Sequence, residues 1–586
     1  MKSLRRTLPL FALSLLSAYA LPLRAQSAPA AGSSSAAPAG SAAPDAAHSV
    51  PVFSSRTQLV MIPVVVTRDG KHVTGLKSED FRVEEHGKPR TPTVFEEVAS
   101  VAPETKTRAA LPASGHSNFT FGNTDSWRVT LVLMDTLNTP VLRQEAARRE
   151  MIRYLGKNLR RGEPTALLGL SGSGLRQLYP LTQDTSVLIA ALQKLHGVSG
   201  ADENNENSAQ LTGDMTASLD NNSVSQSADI ISQFLQDSEA TMAAFQQRNS
   251  IRTTLAALKQ IAQAYAAIPG RKTLLWASGG VPFTIDDPQS FERLGTDMQQ
   301  RYEETWRALS AAGIAVYPVD VNGLKGISGS NSFLDVERRS GANIPSSRGA
   351  AAKPMSIQYD KDAERQETLR SIAAATGGIP CINNNDLAHC FEHAVDDSRQ
   401  YYMLGYYLPA DDQKPGWRKL KVKVNAPGAH VQARDGFYLS APQQETPQTV
   451  QHELTEALSS PVEFTGVRVN VREATVPSGI VPEPGKLHRE FAVGMPARTL
   501  TMNEPGNFVD VTVIALALDA RGNNRGQGDN RVSGSLKPET AGLLQRSGMA
   551  IGVGVDLAPG SYEMRFAVRD NLNGAIGTVV FPIDVK

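Results

Sequence analysis

The chain has 586 residues, of which 41% are apolar and 20% charged, with 59 Lys and Arg against 59 Asp and Glu. That balance leaves no long-range positive field to gather phosphates or anionic lipid, so nucleic acid is excluded as an expected partner. Two cysteines are too few to staple a chain of this length, so its folding must rest on hydrophobic cores.

Residues 1–25 read as a secretory signal peptide. Lys2, Arg5 and Arg6 form a positive start, an apolar run covers residues 8–21, and Ala18-Tyr19-Ala20 supplies small residues at a cleavage site. Cleavage is expected after Ala20 or after Ala25. The apolar run is shorter than the roughly 20 residues a spanning helix needs, and Pro9 and Pro22 sit in or beside it. The mature protein is therefore expected to be exported, whether periplasmic, cell-surface or secreted, with no transmembrane segment left. In such a compartment Cys381 and Cys390 are expected to form a disulfide.

Residues 26–51 are almost wholly Ala, Ser, Pro and Gly, too little apolar surface to offset chain entropy, and predict a disordered linker. Residues 52–102 predict a small β-sandwich module. A buried strand over 59–64 runs to the turn Thr67-Arg68-Asp69-Gly70, a second strand begins at Phe81 and turns at His86-Gly87, and Val94 and Phe95 open a third. A polar link follows to Asp125.

From Val129 the pattern alternates strand and helix. A continuous apolar strand over 129–134 ends in Asp135, and a helix covers 142–159. Strands at 165–171 and 175–178 precede a helix over 185–195. The Asn/Ser-rich stretch 197–227 has no periodicity and reads as an inserted loop. Helix returns over 230–267, then a strand over 272–277 leads into Gly279-Gly280. A helix over 288–312 and a strand over 314–319 ending in Asp320 follow. A second inserted loop is expected over 322–361, then a helix stopped by Gly377-Gly378, a helix capped by Asp386, and strands over 401–408 and 420–424. Near-continuous apolar strands spaced by helices predict an α/β fold with a doubly wound, mainly parallel sheet over residues 125–440. Residues 441–586 return to strands, at 464–471, 509–518 and 562–568, and predict a C-terminal β-sandwich-like domain.

Several stretches, in this order, resemble the von Willebrand factor type A (VWA) family, and more narrowly the VWA-related proteins abundant in Acidobacteria. They are Val64-Val65-Val66-Thr67-Arg68-Asp69-Gly70, Leu133-Met134-Asp135-Thr136-Leu137-Asn138-Thr139-Pro140, Arg271-Lys272-Thr273-Leu274-Leu275-Trp276, Val316-Tyr317-Pro318-Val319-Asp320, Ala375-Thr376-Gly377-Gly378 and Tyr401-Tyr402-Met403-Leu404-Gly405-Tyr406-Tyr407. The resemblance implies a VWA-like α/β fold with ligands taken at the strand ends. In many members a metal-ion-dependent adhesion site lies there, built on Asp-x-Ser-x-Ser, a loop Thr and a later Asp-Gly. Here the pattern is degenerate. Asp135 stands for the first Asp and Thr139 for the second Ser, Thr253 or Thr254 stands for the loop Thr, and Asp320 closes a neighbouring strand. Leu137 has no oxygen to offer, and Ser278-Gly279 replaces Asp-Gly. One carboxylate with neutral hydroxyls makes a weak site for Mg²⁺ or Mn²⁺, which want oxygen ligands in number. The alternative is that Asp135 and Asn138 simply fix the turn by hydrogen bonding to the backbone.

Two other patterns bear chemistry. His389-Cys390-Phe391-Glu392-His393 matches the inverted zinc-protease spacing, with two His one helical turn apart. Advancing about 100° per residue, however, places both His opposite the apolar side that carries Leu387, Phe391, Ala394 and Val395. Ser171 and Ser173 lie in a Gly-rich turn but miss the nucleophile-elbow spacing. The expected function is thus a non-catalytic, exported protein for adhesion or protein–protein interaction at the cell envelope, binding a protein or peptide ligand. The alternatives are a zinc metallohydrolase using His389, Glu392 and His393, and a purely structural envelope protein.

Overall fold

The computed structural model describes residues 58–98, 115–118, 129–157, 164–195, 227–266, 268, 270–281, 296–323, 355–397, 399–409, 412–439, 446–497, 499–503 and 507–586. The expected leader and linker lie outside the described residues, as do most of the two expected loops. What is described of those loops is Ser227, already helical, the turn at Asn322 and Gly323, and helical residues 355–361.

In chain order the elements begin with β1 (Gln58–Arg68), β2 (Lys71–His72), β3 (Phe81–Glu85), β4 (Lys88–Arg90), β5 (Val94–Val98) and β6 (Gly115–Ser117). Then come β7 (Val129–Asp135), α1 (Val141–Lys157), β8 (Thr165–Ser171), β9 (Gly174–Thr182), α2 (Thr185–Gln193) and α3 (Ser227–Ala264). After these stand β10 (Lys272–Ser278), α4 (Thr296–Ala311), β11 (Ile314–Asp320), α5 (Met355–Thr376) and α6 (Leu387–Asp397). Strands β12 (Tyr401–Leu408), β13 (Gly416–Val424), β14 (His430–Gln432) and β15 (Gly436–Leu439) precede α7 (Pro447–Ser459). The remainder is β16 (Asn470–Ala474), β17 (Leu487–Met495), β18 (Phe508–Leu518), β19 (Asn524–Ser535), α8 (Pro538–Ser547), β20 (Met549–Leu557), β21 (Gly560–Asp570) and β22 (Ile576–Val585).

These strands form five sheets. The expectation of a doubly wound, mainly parallel sheet as the fold class is overturned. Strand outweighs helix, 42% to 31%, and antiparallel pairing dominates. Four of the sheets, β14-β1-β12-β5 with β2, β15-β13-β3-β4, β20-β17-β16-β6 and β19-β18-β21-β22, contain antiparallel pairs alone. The fifth, β11-β10-β7-β8-β9, is mixed, because β9 folds back on β8 after a two-residue turn. The physical reason is connection length. Parallel neighbours need a crossover of a dozen or more residues, whereas most strands here are joined by short turns or pair across long chain distances.

The first strands do not close on themselves as a separate module. β1 pairs with β12 from Gln58↔Leu408 to Val64↔Tyr402, and β3 pairs with β13. Residues 58–98 and 401–439 therefore share one core, with Val60, Ile62, Val64, Tyr402, Leu404 and Phe437 among its buried side chains. The short strand β6 joins the C-terminal sheet beside β16, where sequence pattern predicts only a polar link.

In the mixed sheet, β7, β10 and β11 are buried at every residue. Alternate side chains point to opposite faces. Leu131, Leu133, Leu274 and Trp276 meet α3 and α4, while Val132, Met134, Leu275 and Tyr317 meet α1 and α6. Both faces being covered by helices explains the unbroken apolar runs. It also sends the parallel strands' carboxyl ends, at Asp135, Ser278 and Asp320, to one edge of the unit. The C-terminal pair of sheets encloses a third core around Val513, Phe491, Phe566 and Phe581. Two helices there, α7 and α8, are absent from the strand-only reading. Thr446 caps α7 and Pro447 opens it, a start signal present in the sequence.

Candidate functional site

The site of interest is the edge where β7 and β10 end. β7 runs without a break to Asp135, and the next five residues turn the chain into α1. Gln144 holds that turn by donating to the carbonyls of Thr136 (3.0 Å) and Thr139 (2.7 Å), and the Thr136 hydroxyl donates to Leu170 O at 2.8 Å.

Asp135 is only 2% exposed, and both carboxylate oxygens are engaged. Oδ1 accepts from the Asn138 amide at 2.9 Å. Oδ2 accepts from Asn138 Nδ2 at 2.8 Å, Ser278 Oγ at 2.7 Å and Trp276 Nε1 at 3.1 Å. Burial raises the Asp135 carboxyl above the usual carboxylate range, and the bonds from Asn138, Ser278 and Trp276 oppose that rise. Asn138 carries the network on to α3. Its Nδ2 also donates to Thr254 Oγ1 at 3.0 Å, and its Oδ1 accepts from Ser250 Oγ at 2.8 Å. Thr139 Oγ1 accepts from the Gly279 amide at 2.9 Å. Gly279 must be glycine, since a Cβ there would stand 2.6 Å from Asn138 O.

Of the sequence-derived candidates, Asp135, Thr139 and Ser278 are brought together, joined by Thr254 through Asn138. Thr253, one residue away on α3, has no hydrogen bond into this network, because one helical step of about 100° turns it aside. Leu137 is buried in the apolar core beneath the turn. Asp320 ends β11 in register with Ser278, but its carboxylate accepts from Asn322 N at 2.9 Å and Gln366 Nε2 at 3.4 Å, not from the Asp135 group. Among the described residues no three His, Cys, Asp or Glu side chains converge as a metal-binding group. Trp276 and Ser250 are members that sequence reasoning missed, and for Trp276 the signal was available: it lies two residues before Ser278 on one strand, hence on the same face.

The other candidates fall elsewhere. His389 and His393 are exposed on α6, and Cys390 on its buried side is bonded to Cys381. Ser171 and Ser173 face each other at 2.9 Å across the β8–β9 turn. In β12, Tyr401, Tyr402 and Tyr406 are buried and only Tyr407 is exposed, at 51%. Tyr401 departs from simple alternation because its hydroxyl accepts from Arg271 N at 3.1 Å, where β12 meets the mixed-sheet unit.

No protein-family model matches the chain, and no curated protein matches it. Among the described residues no helix is long and apolar enough to cross a membrane.

Proposed function

We propose that the chain is an exported, non-catalytic binding protein of the cell envelope that takes a protein or peptide ligand at the carboxyl ends of β7, β10 and β11, without a metal ion. Export rests on residues 1–25 and their signal-peptide layout. The observation that carries the rest is the state of Asp135. Asp135 is almost wholly buried and receives four hydrogen bonds inside the protein, three of them on Oδ2, so a cation would have to displace those donors to enter. On this reading the oxygen-bearing residues of the degenerate adhesion pattern have become the internal wiring of a rigid crest. Beside that crest Leu142, 76% exposed at the start of α1, offers the apolar contact that a peptide ligand would bury.

The test is a photo-reactive residue placed at position 142 or 322 of the exported protein in its own cells, with position 481 in the C-terminal region as the control. A discrete protein adduct from 142 and 322, unchanged by EDTA, is expected. Adducts lost on adding EDTA would overturn the metal-free reading, and adducts from 481 alone would move the binding face away from the crest. Hydrolase activity of the purified protein that vanishes in His389→Ala or His393→Ala would overturn the non-catalytic assignment.

A further inference from the structure

Helix α6 carries a second arrangement that the crest does not use. Asp386 receives the His389 amide on Oδ1 at 3.1 Å, Leu387, Phe391, Ala394 and Val395 are buried beneath the helix, and the Cys381–Cys390 bond ties it to the chain beside β11. A helix held at so many points presents its outer face in a fixed position. On that face His389 and His393 stand one turn apart, both exposed, with ring centroids 6.5 Å apart. One turn further on, Asp397 is buried, with its side chain 4% exposed, and its Oδ1 lies 3.8 Å from His393 Nδ1. The second oxygen, Oδ2, is buried, and Arg271, His72 and Gln432 also face the carboxylate from the elements packed against it.

We propose that His389 and His393 form a surface site for a borderline-soft divalent cation, Zn²⁺ in the first place, with Asp397 as the buried carboxylate that positions His393. Two His four residues apart on a helix share one face, which is the spacing that lets both imidazoles reach one ion. A carboxylate behind a ligating His accepts a hydrogen bond from its inner N–H, which fixes the tautomer so that the outer nitrogen offers its lone pair to the metal. Here Asp397 Oδ1 lies 3.8 Å from His393 Nδ1, beyond hydrogen-bond length, and a small rotation of the exposed ring brings the two into contact and leaves Nε2 for the ion. The rings are somewhat too far apart to share an ion as they stand, and rotation of two exposed side chains closes the gap without moving the backbone. The protein supplies two ligands, since no third His, Cys, Asp or Glu converges among the described residues, and water completes the shell. Imidazole ligands select Zn²⁺, Ni²⁺ and Cu²⁺ over Mg²⁺, so this site is separate in chemistry from the crest and stands whether or not the crest binds a ligand.

The test is titration of Zn²⁺ into the mature protein, read by calorimetry, with Mg²⁺ as the comparison. One Zn²⁺ per chain and no heat from Mg²⁺ are expected. His389→Ala and His393→Ala are each expected to weaken Zn²⁺ at least tenfold, and Asp397→Asn by about 10–100-fold, the range for loss of a carboxylate behind a ligating His. Because Asp397 is buried, the thermal midpoint of the metal-free Asp397→Asn variant is measured beside it. Should that variant unfold, His389→Gln and His393→Gln, both at exposed positions, decide the ligand assignment. Zn²⁺ binding unchanged in the two His variants, or no Zn²⁺ binding by the wild type at 1 mM, which corresponds to about −4 kcal/mol, overturns the site. Full affinity in a folded Asp397→Asn variant overturns the role given to the carboxylate.

Discussion

Replacing Asp135 separates a metal ligand from an internal acceptor. In Asp135→Asn the shape is kept, but one oxygen becomes an NH₂ that faces donors: Asn138 Nδ2, Ser278 Oγ and Trp276 Nε1 all lie within 3.1 Å of Oδ2. Leaving one buried donor unmade costs about 1–3 kcal/mol, and neighbours that share an acceptor do not add in full. The expected loss is about 2–4 kcal/mol for Asp135→Asn and about 3–5 kcal/mol for Asp135→Ala, which removes the acceptor from all four donors and leaves only Asn138 Nδ2 another partner, Thr254 Oγ1. Urea unfolding followed by tryptophan emission reads it, because Trp276 is part of the network. The wild-type midpoint is expected to be the same in EDTA and in Mg²⁺, since a cation bound only to the folded state would raise it. An Asn variant within about 0.5 kcal/mol of wild type, the size of an ordinary surface change, would refute the acceptor role. A Mg²⁺-dependent rise in the wild type would refute the closed site.

Further outcomes follow from other parts of the molecule. Lys272 is 1% exposed at the start of β10, donates to the carbonyls of Ile268 and Gly270, and is pushed by burial down to about 7. Between that value and the ordinary lysine value near 10.4 the unfolded chain holds a proton that the folded chain does not. Stability should therefore rise with pH across that window, by up to about 1.4 kcal/mol per unit, and Lys272→Met should abolish the slope in urea titrations at pH 6, 8 and 9.5. Removing the Cys381–Cys390 bond, which closes a loop of sequence separation 9, should cost about 2–3 kcal/mol, read as a lower thermal midpoint of the double Ser variant. Gly378→Ala would set a Cβ 1.9 Å from Val316 O and should cost about 3 kcal/mol. Gly494→Ala, where the nearest atom would be 3.5 Å away, should be tolerated, and a melt of both variants checks the contrast.

What the sequence disclosed depended on whether the governing contact was local. The strands ending at Asp135 and Asp320 were legible because burial on both faces leaves an unbroken apolar run, and the start of α6 at Asp386 because capping is a near-neighbour effect. The balance of parallel and antiparallel pairing was not legible. Whether Val64 pairs with Tyr402 or closes a local hairpin is decided by packing across hundreds of residues, which no periodicity records. The candidate site shows both cases. Asp135 and Asn138 lie three residues apart and were seen together, whereas the choice of Thr254 over Thr253 turns on helical phase in a 38-residue helix. The helix at residues 447–459 was obscured by the strands around it, although its Thr-Pro start was in view.

The shared core of residues 58–98 and 401–439 sets a timetable for the protein's making. Leu76 and Tyr402, which bond at 3.1 Å in the finished fold, are 326 residues apart in the chain. At about 5–20 residues per second, synthesis leaves β1 without its partner for roughly 20–60 seconds. During that interval its Val-rich segment is an unpaired strand of the kind that aggregates with its like. In a chain built this way the first core cannot close until its last strand has emerged, so the order of synthesis delays its folding.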